Sequence, residues 1–319
     1  MLAYIIRRIL GAVPLILLVV SINFVIIHLA PGDPVFLFIQ GGAGTTVEYV
    51  EQVRKTLGLD KPLGEQFLIF IKDICRGKLG YSHFYQRPVK DVIVERLPIT
   101  LLLVILSTIF ASVAGIILGV FAGTRPYSPV DHINTFVAVS GYSIPTFWLG
   151  QLLIIVFSIH LNLLPTGGIP TRFTGGVGFM SWLRHLVLPV LSLGFIQLAL
   201  TARVMRASIL EVLGMDYIVS ARAKGLKESV VIFKHAFRNA VLPVVTVISV
   251  NFAFQFTGAM IIETVYSWPG LGRMMFEAIF RRDYPVLMGL LIVSSVTVIV
   301  VNLVTDILYA YIDPRIVYE

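Results

Sequence analysis

Apolar residues gather into six long runs, at 9–30, 99–123, 134–160, 186–205, 240–262 and 286–311, with polar segments between them. Runs of about 20 apolar residues or more match an α-helix crossing a hydrocarbon core about 30 Å thick. The pattern predicts an all-α membrane protein with about six transmembrane helices. The first run is preceded by Arg7 and Arg8 and lacks a small-residue cleavage site, so it is expected to be an uncleaved span rather than a signal peptide.

The polar segment 31–98 is too long for a turn. Thr45 and Glu48 fit a capping box opening a helix that runs to Gly58. Pro62 suits the first turn of a second helix, with Phe67, Phe70 and Ile71 on one side and an end near Gly77. The expected organisation is a first transmembrane helix over 1–30, a helical cap over 31–98, and a core over 99–319 with five transmembrane helices and a loop at 206–239.

Basic residues orient the spans. With the N-terminus inside, the inner segments hold Arg7, Arg8, Arg125, Arg203, Arg206, Arg222, Lys224, Lys227, Lys234, Arg238 and Arg315. The short outer segments hold only Arg172, Arg184, Arg273, Arg281 and Arg282. Both termini are therefore expected in the cytoplasm, with segment 31–98 outside. Hydrophobic residues make up 57% of the chain and charged residues 13%. The net charge of +7 accordingly speaks to topology and anionic partners more than to nucleic acid.

Two features of the runs bear on packing and passage. Ala111, Gly115, Gly119 and Gly123 recur every four residues, a spacing that lets two helix backbones approach closely in lipid. In "SGYSIPTFWLG", Pro145 removes a backbone hydrogen bond, and Ser140, Tyr142, Ser143 and Thr146 cluster around the bend it imposes. Polar groups there either face other helices or an aqueous path, or satisfy the broken backbone themselves.

Several chemistries find no footing. No G-x-x-x-x-G-K-[ST] is present, so the chain has no P-loop for ATP. Cys75 is the single cysteine, and the six histidines form no HxxxH or HExxH pair, so no metal centre is expected. Acids at mid-span are few: Asp306 lies near Asn302 and Thr305, while Glu211 and Glu263 sit at run edges. That scarcity disfavours a gradient-driven carrier. Neither an enzyme nor a cofactor is expected.

The stretch "SARAKGLKESVVIFKHAFRN" at 220–239 carries Arg222, Lys224, Lys227, Lys234 and Arg238 against one acid. It reads as two short helices broken at Gly225, whose lack of a Cβ permits a left-handed turn. The first puts Ile218 and Ala221 on one side. The second puts Phe233, Ala236, Phe237 and Ala240 on one face, with Lys227, Lys234 and Arg238 on another. Taken alone, the stretch suits either a partner's groove or a membrane surface. Aromatic interleaving of the kind used on single-stranded nucleic acid is lacking.

At these residues the chain resembles the permease subunits of dipeptide/oligopeptide ABC importers. "DYIVSARAKGLKESVVIFKHAFRNAVLPVVTV" matches their cytoplasmic coupling loop, and further matches include "HLAPGDP", "LGLDKP", "GYSIPTFW", "ETVYSWPGLGR", "RRDYP" and "DPR". The glutamate of the general importer EAA triplet is replaced, since that triplet falls on Val219, Ser220 and Ala221.

The resemblance implies a prokaryotic inner-membrane heterodimer with a second homologous permease, one or two cytoplasmic ATPase subunits, and an extracytoplasmic substrate-binding protein. It implies that Tyr217, Ala221, Arg222, Lys224, Gly225 and Lys227 couple to the ATPase. It places Ser143, Pro145 and Thr146 beside the translocation path. It makes Trp268, Pro269 and Gly270 a tight re-entrant turn at an outer gate, against the alternative of a loop anchored by an interfacial tryptophan. Peptide is the implied cargo, with glutathione, nickel or haem as alternatives. A channel or carrier acting without an ATPase is the competing class.

Overall fold

A computed structural model describes residues 2–29, 51, 55, 60–82, 84–170 and 178–312. Helices dominate: α1 (Leu2–Leu29), α2 (Leu63–Cys75), α3 (Val89–Thr124), α4 (Pro129–Ser143), α5 (Thr146–Leu153), α6 (Phe179–Leu213), α7 (Asp216–Ala223), α8 (Glu228–Val230), α9 (Phe237–Val265), α10 (Leu271–Arg281) and α11 (Tyr284–Ile312). Among the described residues, the only sheet is an antiparallel hairpin of β1 (Tyr81–Ser82) and β2 (Arg87–Pro88).

Helices α3, α6, α9 (entered through α8) and α11 are long and apolar enough to cross a membrane, and the bent pair α4–α5 makes a fifth candidate. The described apolar stretch of α1, Leu10–Ile26, is shorter. The capping box at Thr45 and Glu48 lies outside the described residues, as does nearly all of the helix expected to follow it.

The chain divides into two compact units. The first takes in the described residues of Met1–Ile99 and Arg273–Ile307. There Phe24 of α1 meets Phe67 and Phe70 of α2, ring centroids 5.2 and 5.6 Å apart. As expected, α2 follows Pro62 and ends before Gly77, whose φ is +71°. The β1–β2 hairpin is tied to the start of α11 by the Ser82 hydroxyl, which donates to the buried Asp283 carboxylate (2.6 Å). The Tyr85 hydroxyl donates to Glu277 (3.0 Å), whose other oxygen accepts from Arg273 (3.0 Å). Burial pushes the Tyr85 phenol up to about 12, so it remains a donor at physiological pH.

The second unit, built on Thr100–Gly272, contains most of α3 and all of α4 to α9. Its seam is the small-residue stripe. A Cβ on Gly119 would lie 2.6 Å from the Ala202 carbonyl and from Met205 Cβ, and one on Gly115 would meet Leu198 and Thr201. A Cβ on Gly123 would meet Arg206 and Ile209. These contacts advance together along both chains, so α3 and α6 run parallel. By contrast α4 pairs Asp131 with Arg206 and Gly141 with Ala199, which makes it antiparallel to α6. Helix α9 is antiparallel to α3, through Thr100 with Glu263 (2.6 Å) and Thr108 with Gln255 (2.8 Å).

The parallel pair bears on what α4–α5 does. The two helices meet at 110° around Ile144 and Pro145, the place where the sequence predicts a bend. Such a break could belong to a re-entrant loop or to a broken span. A re-entrant loop would return the chain to the end where α3 finished and force α6 to run antiparallel to it. The observed α6 is parallel, the direction expected where α4–α5 is one span broken midway.

Candidate functional site

Two structured regions lie at opposite ends of the second unit, and the sequence singled out residues in both. At one end, α7 and α8 form the hairpin between α6 and α9. Met215 precedes α7 in extended conformation, and Asp216 in its first turn suits the positive end of the helix dipole. Ile218 and Ala221 turn inward, as their spacing predicted. They join a core with Val120, Met205, Ile209, Val212, Val231, Ala236, Ala240 and Val244.

Gly225 closes the turn with φ +76°, and a Cβ there would meet nothing within 4 Å. Inside this chain the need for glycine is therefore conformational rather than steric. Arg222 forms a salt bridge with Glu228 across the turn (2.6 Å). The Tyr217 hydroxyl accepts a hydrogen bond from Asn239 Nδ2 (2.7 Å), bracing the start of α7 against α9. Lys224 and Lys227 are exposed. Of the six residues marked for coupling, two are thus engaged within the hairpin through their side chains and one is buried in its base.

Phe233 departs from expectation. Its spacing puts it on one face with Ala236, Phe237 and Ala240, yet it is 58% exposed. The reason is local: Val231–Ala236 winds as a π-helix, whose i→i+5 bonding holds more residues per turn. Val231 and Ala236 therefore become the buried pair, and Phe233 rotates out beside Lys234.

At the other end, the turn after α9 is held by buried polar groups. Thr100 Oγ1 donates to Glu263 Oε1 (2.6 Å) and accepts from the Leu271 backbone N–H (2.7 Å). The Trp268 N–H donates to the Glu263 carbonyl (2.7 Å). Trp268 is fully buried, edge-on to Trp182 at 6.1 Å, so the interfacial-anchor alternative does not hold for it. Gly270 packs directly against the Glu263 carboxylate, where a Cβ would collide. The Tyr266 hydroxyl donates to the Gly150 carbonyl (3.0 Å) and lies 2.8 Å from Ser192 Oγ. These contacts bind the ends of α5, α6 and α9 together.

Ser143, Pro145 and Thr146 sit at the α4–α5 break. Ser143 and Pro145 are exposed and Thr146 is half-buried. The Ser143 hydroxyl donates to the Val139 carbonyl (2.9 Å), one turn back in α4. Sequence reasoning missed Asp131, which pairs with Arg206 and accepts from the Tyr127 N–H, tying the start of α4 to α6. It also read Glu263 merely as an acid at a span edge. Neither partner pair is close in sequence, so no local pattern marked them.

Comparison with known proteins places the chain. Residues 115–318 match the family model described as binding-protein-dependent transport system inner membrane component, and residues 1–104 match the model for the N-terminal part of such components. The chain belongs to this family. It is 41% identical, over the whole of both chains, to the oligopeptide transport system permease protein AppB of Bacillus subtilis. It is equally 41% identical over the whole of both chains to the glutathione transport system permease protein GsiC of Escherichia coli K12.

The dipeptide permease DppB of the same organism is 41% identical over 99% of each chain. The fold is shared with the membrane subunit in inward-facing crystals of the MetNI methionine ABC transporter. That likeness has a TM-score of 0.55 at 18% identity and covers 70% of this chain and 96% of that one. The protein is thus a multi-pass, all-α permease component of the ABC importer class.

Proposed function

We propose that this permease forms half of the translocation path of an ATP-powered importer for di- and oligopeptides. A second homologous permease completes the path, ATPase subunits dock on the α7–α8 hairpin from the cytoplasm, and a binding protein delivers cargo at the opposite end. The observation that carries the reading is the hairpin. An amphipathic helix is seated on a buried core by Ile218 and Ala221, ends in a left-handed glycine, and presents Lys224 and Lys227 outward. A loop merely lying on lipid has no need of so defined a turn. Relatives over the full chain act on oligopeptides, dipeptides and glutathione, all built on peptide bonds, which favours peptide over nickel or haem.

In this mechanism ATP binding closes the ATPase pair and draws the hairpins of the two permeases together. Each hairpin moves the ends of α6 and α9 to which it is packed. The broken helix α4–α5 lies beside the path with Ser143, Pro145 and Thr146, and the turn at Trp268, Pro269 and Gly270 forms the outer gate. Hydrolysis resets the inner ends.

The test is to purify the tagged chain from its native host in mild detergent and identify what accompanies it. A second permease with one or two ATPases is the expected result. Recovery of the chain alone, transport-competent after reconstitution, would overturn the proposal in favour of a channel or carrier.

A further inference from the structure

Resting on the importer reading, we propose that Asp131 and Arg206 are positioning residues that carry hairpin motion to the broken helix beside the path. The pair is bidentate: Arg206 Nε donates to Asp131 Oδ1, and Arg206 Nη2 donates to Asp131 Oδ2 (2.8 Å). Asp131 Oδ2 also accepts from the Tyr127 backbone N–H (3.0 Å), and Asp131 is buried. The α3 backbone presses on the same place, since a Cβ on Gly123 would lie 2.9 Å from the Arg206 carbonyl. Three helices converge at the pair: α3 at its end, α4 at its start and α6 two turns before its end.

Its position along the chain gives the pair its role. From Arg206, α6 runs about 10 Å further to Leu213, at 1.5 Å per residue, before the hairpin begins. Ile209 and Val212 on that stretch hold Ile218 and Ala221 of α7. On its other side, Asp131 stands in the first turn of α4, a helix running unbroken to Ser143 and ending at the 110° break. Hairpin, α6 end, ion pair, α4 and break thus form one mechanical series.

Without the pair, α4 touches α6 through small-residue packing such as Gly141 on Ala199, which resists separation but has no directional bond against sliding. A buried fork of two charge-assisted hydrogen bonds fixes both distance and rotation. Neutralising a topogenic arginine would require only one contact. The fork, the additional backbone bond and the three-helix convergence exceed that need.

The experiment uses the assembled importer in proteoliposomes, with its binding protein. Uptake of radiolabelled trialanine or glutathione is measured alongside ATP hydrolysis in the same vesicles. The variants are D131N, R206K and the double replacement D131L/R206M. The double variant removes both charges together and so avoids leaving one buried alone.

Uptake per ATP hydrolysed is expected to fall about tenfold or more in D131N and in the double variant, while binding-protein-stimulated hydrolysis stays within about twofold. R206K retains the charge but gives up the fork, and a loss of about threefold or more is expected. Unchanged uptake per ATP in the double variant would overturn the proposal and leave the pair as charge burial alone. Uptake and hydrolysis falling together in assembled complexes would overturn it as well. Should D131N and the double variant fail to assemble, R206K decides: an unchanged ratio there also overturns the proposal. A wild-type complex without binding-protein-stimulated hydrolysis would instead sink the importer reading itself.

Discussion

Gly225 separates two explanations that make the same residue indispensable. Its φ of +76° is one that few residues with a Cβ adopt, yet the space around it within the chain is open. Forcing an ordinary L-residue into that region costs about 1–2 kcal/mol, more for β-branched side chains, whereas asparagine enters it readily. If conformation is what matters, Gly225→Asn should support near-normal peptide uptake and Gly225→Val should lose about tenfold or more at unchanged membrane insertion. If a docked partner instead needs the bare backbone, both variants should fail alike. Thr100 offers a second test at this scale, since one hydroxyl serves both the Glu263 carboxylate and the Leu271 N–H. Thr100→Val keeps the shape but withdraws the hydroxyl from both groups, and should destabilise the purified protein by about 1–3 kcal/mol. Thermal unfolding in detergent reads this out, and a midpoint unchanged to about 1 °C would mean that the turn is held by other contacts.

Among the elements, the α3–α6 seam is the least forgiving. Gly119→Leu drives a side chain into the Ala202 carbonyl and Met205 Cβ, each 2.6 Å from the first added atom. Overpacking of this kind typically costs about 1–3 kcal/mol, and parting the helices also loosens Arg206 and Ile209 one turn on. A lower unfolding midpoint and poorer recovery after detergent extraction are expected, while Gly11→Leu, where a Cβ meets nothing, should be silent. The stripe was legible in sequence because a four-residue period of small side chains has few other uses in lipid. So were the long helices and the inward face of α7, all products of local periodicity. Less legible was whatever depends on winding or distance. The π-turn at Val231–Ala236 shifts the helical phase and carries Phe233 off its expected face. Pro145 announced a bend, and two successive extended residues, Ile144 and Pro145, open it into a 110° break. Asp131 and Arg206 lie 75 residues apart, and Thr100 and Glu263 lie 163 apart, so only the fold brings each pair together.

At the scale of the whole molecule, the crossing made by α4–α5 fixes sidedness for everything after it. With α3 and α6 parallel, the connection between them must traverse the membrane once. Tyr127 before α4 and Thr166 after α5 should then lie on opposite sides, and the hairpin at Lys224 should share the side of Tyr127. The chain is well suited to test this, because Cys75 is its single cysteine and is exposed. In a Cys75→Ser background, Tyr127→Cys, Thr166→Cys and Lys224→Cys can each be challenged with a membrane-impermeant maleimide. Tyr127 and Thr166 are exposed, so failure to label would reflect sidedness rather than burial. Labelling of Thr166→Cys in intact cells is expected, with Tyr127→Cys and Lys224→Cys reacting only after permeabilisation. If Tyr127→Cys and Thr166→Cys react from the same side, α4–α5 is re-entrant and the antiparallel packing of α4 on α6 is wrong. If all three pairings hold but the sides are exchanged, the packing stands. The basic hairpin would then face away from the cytoplasm, where no ATP-driven partner could reach it, and the importer mechanism would fail on topology alone.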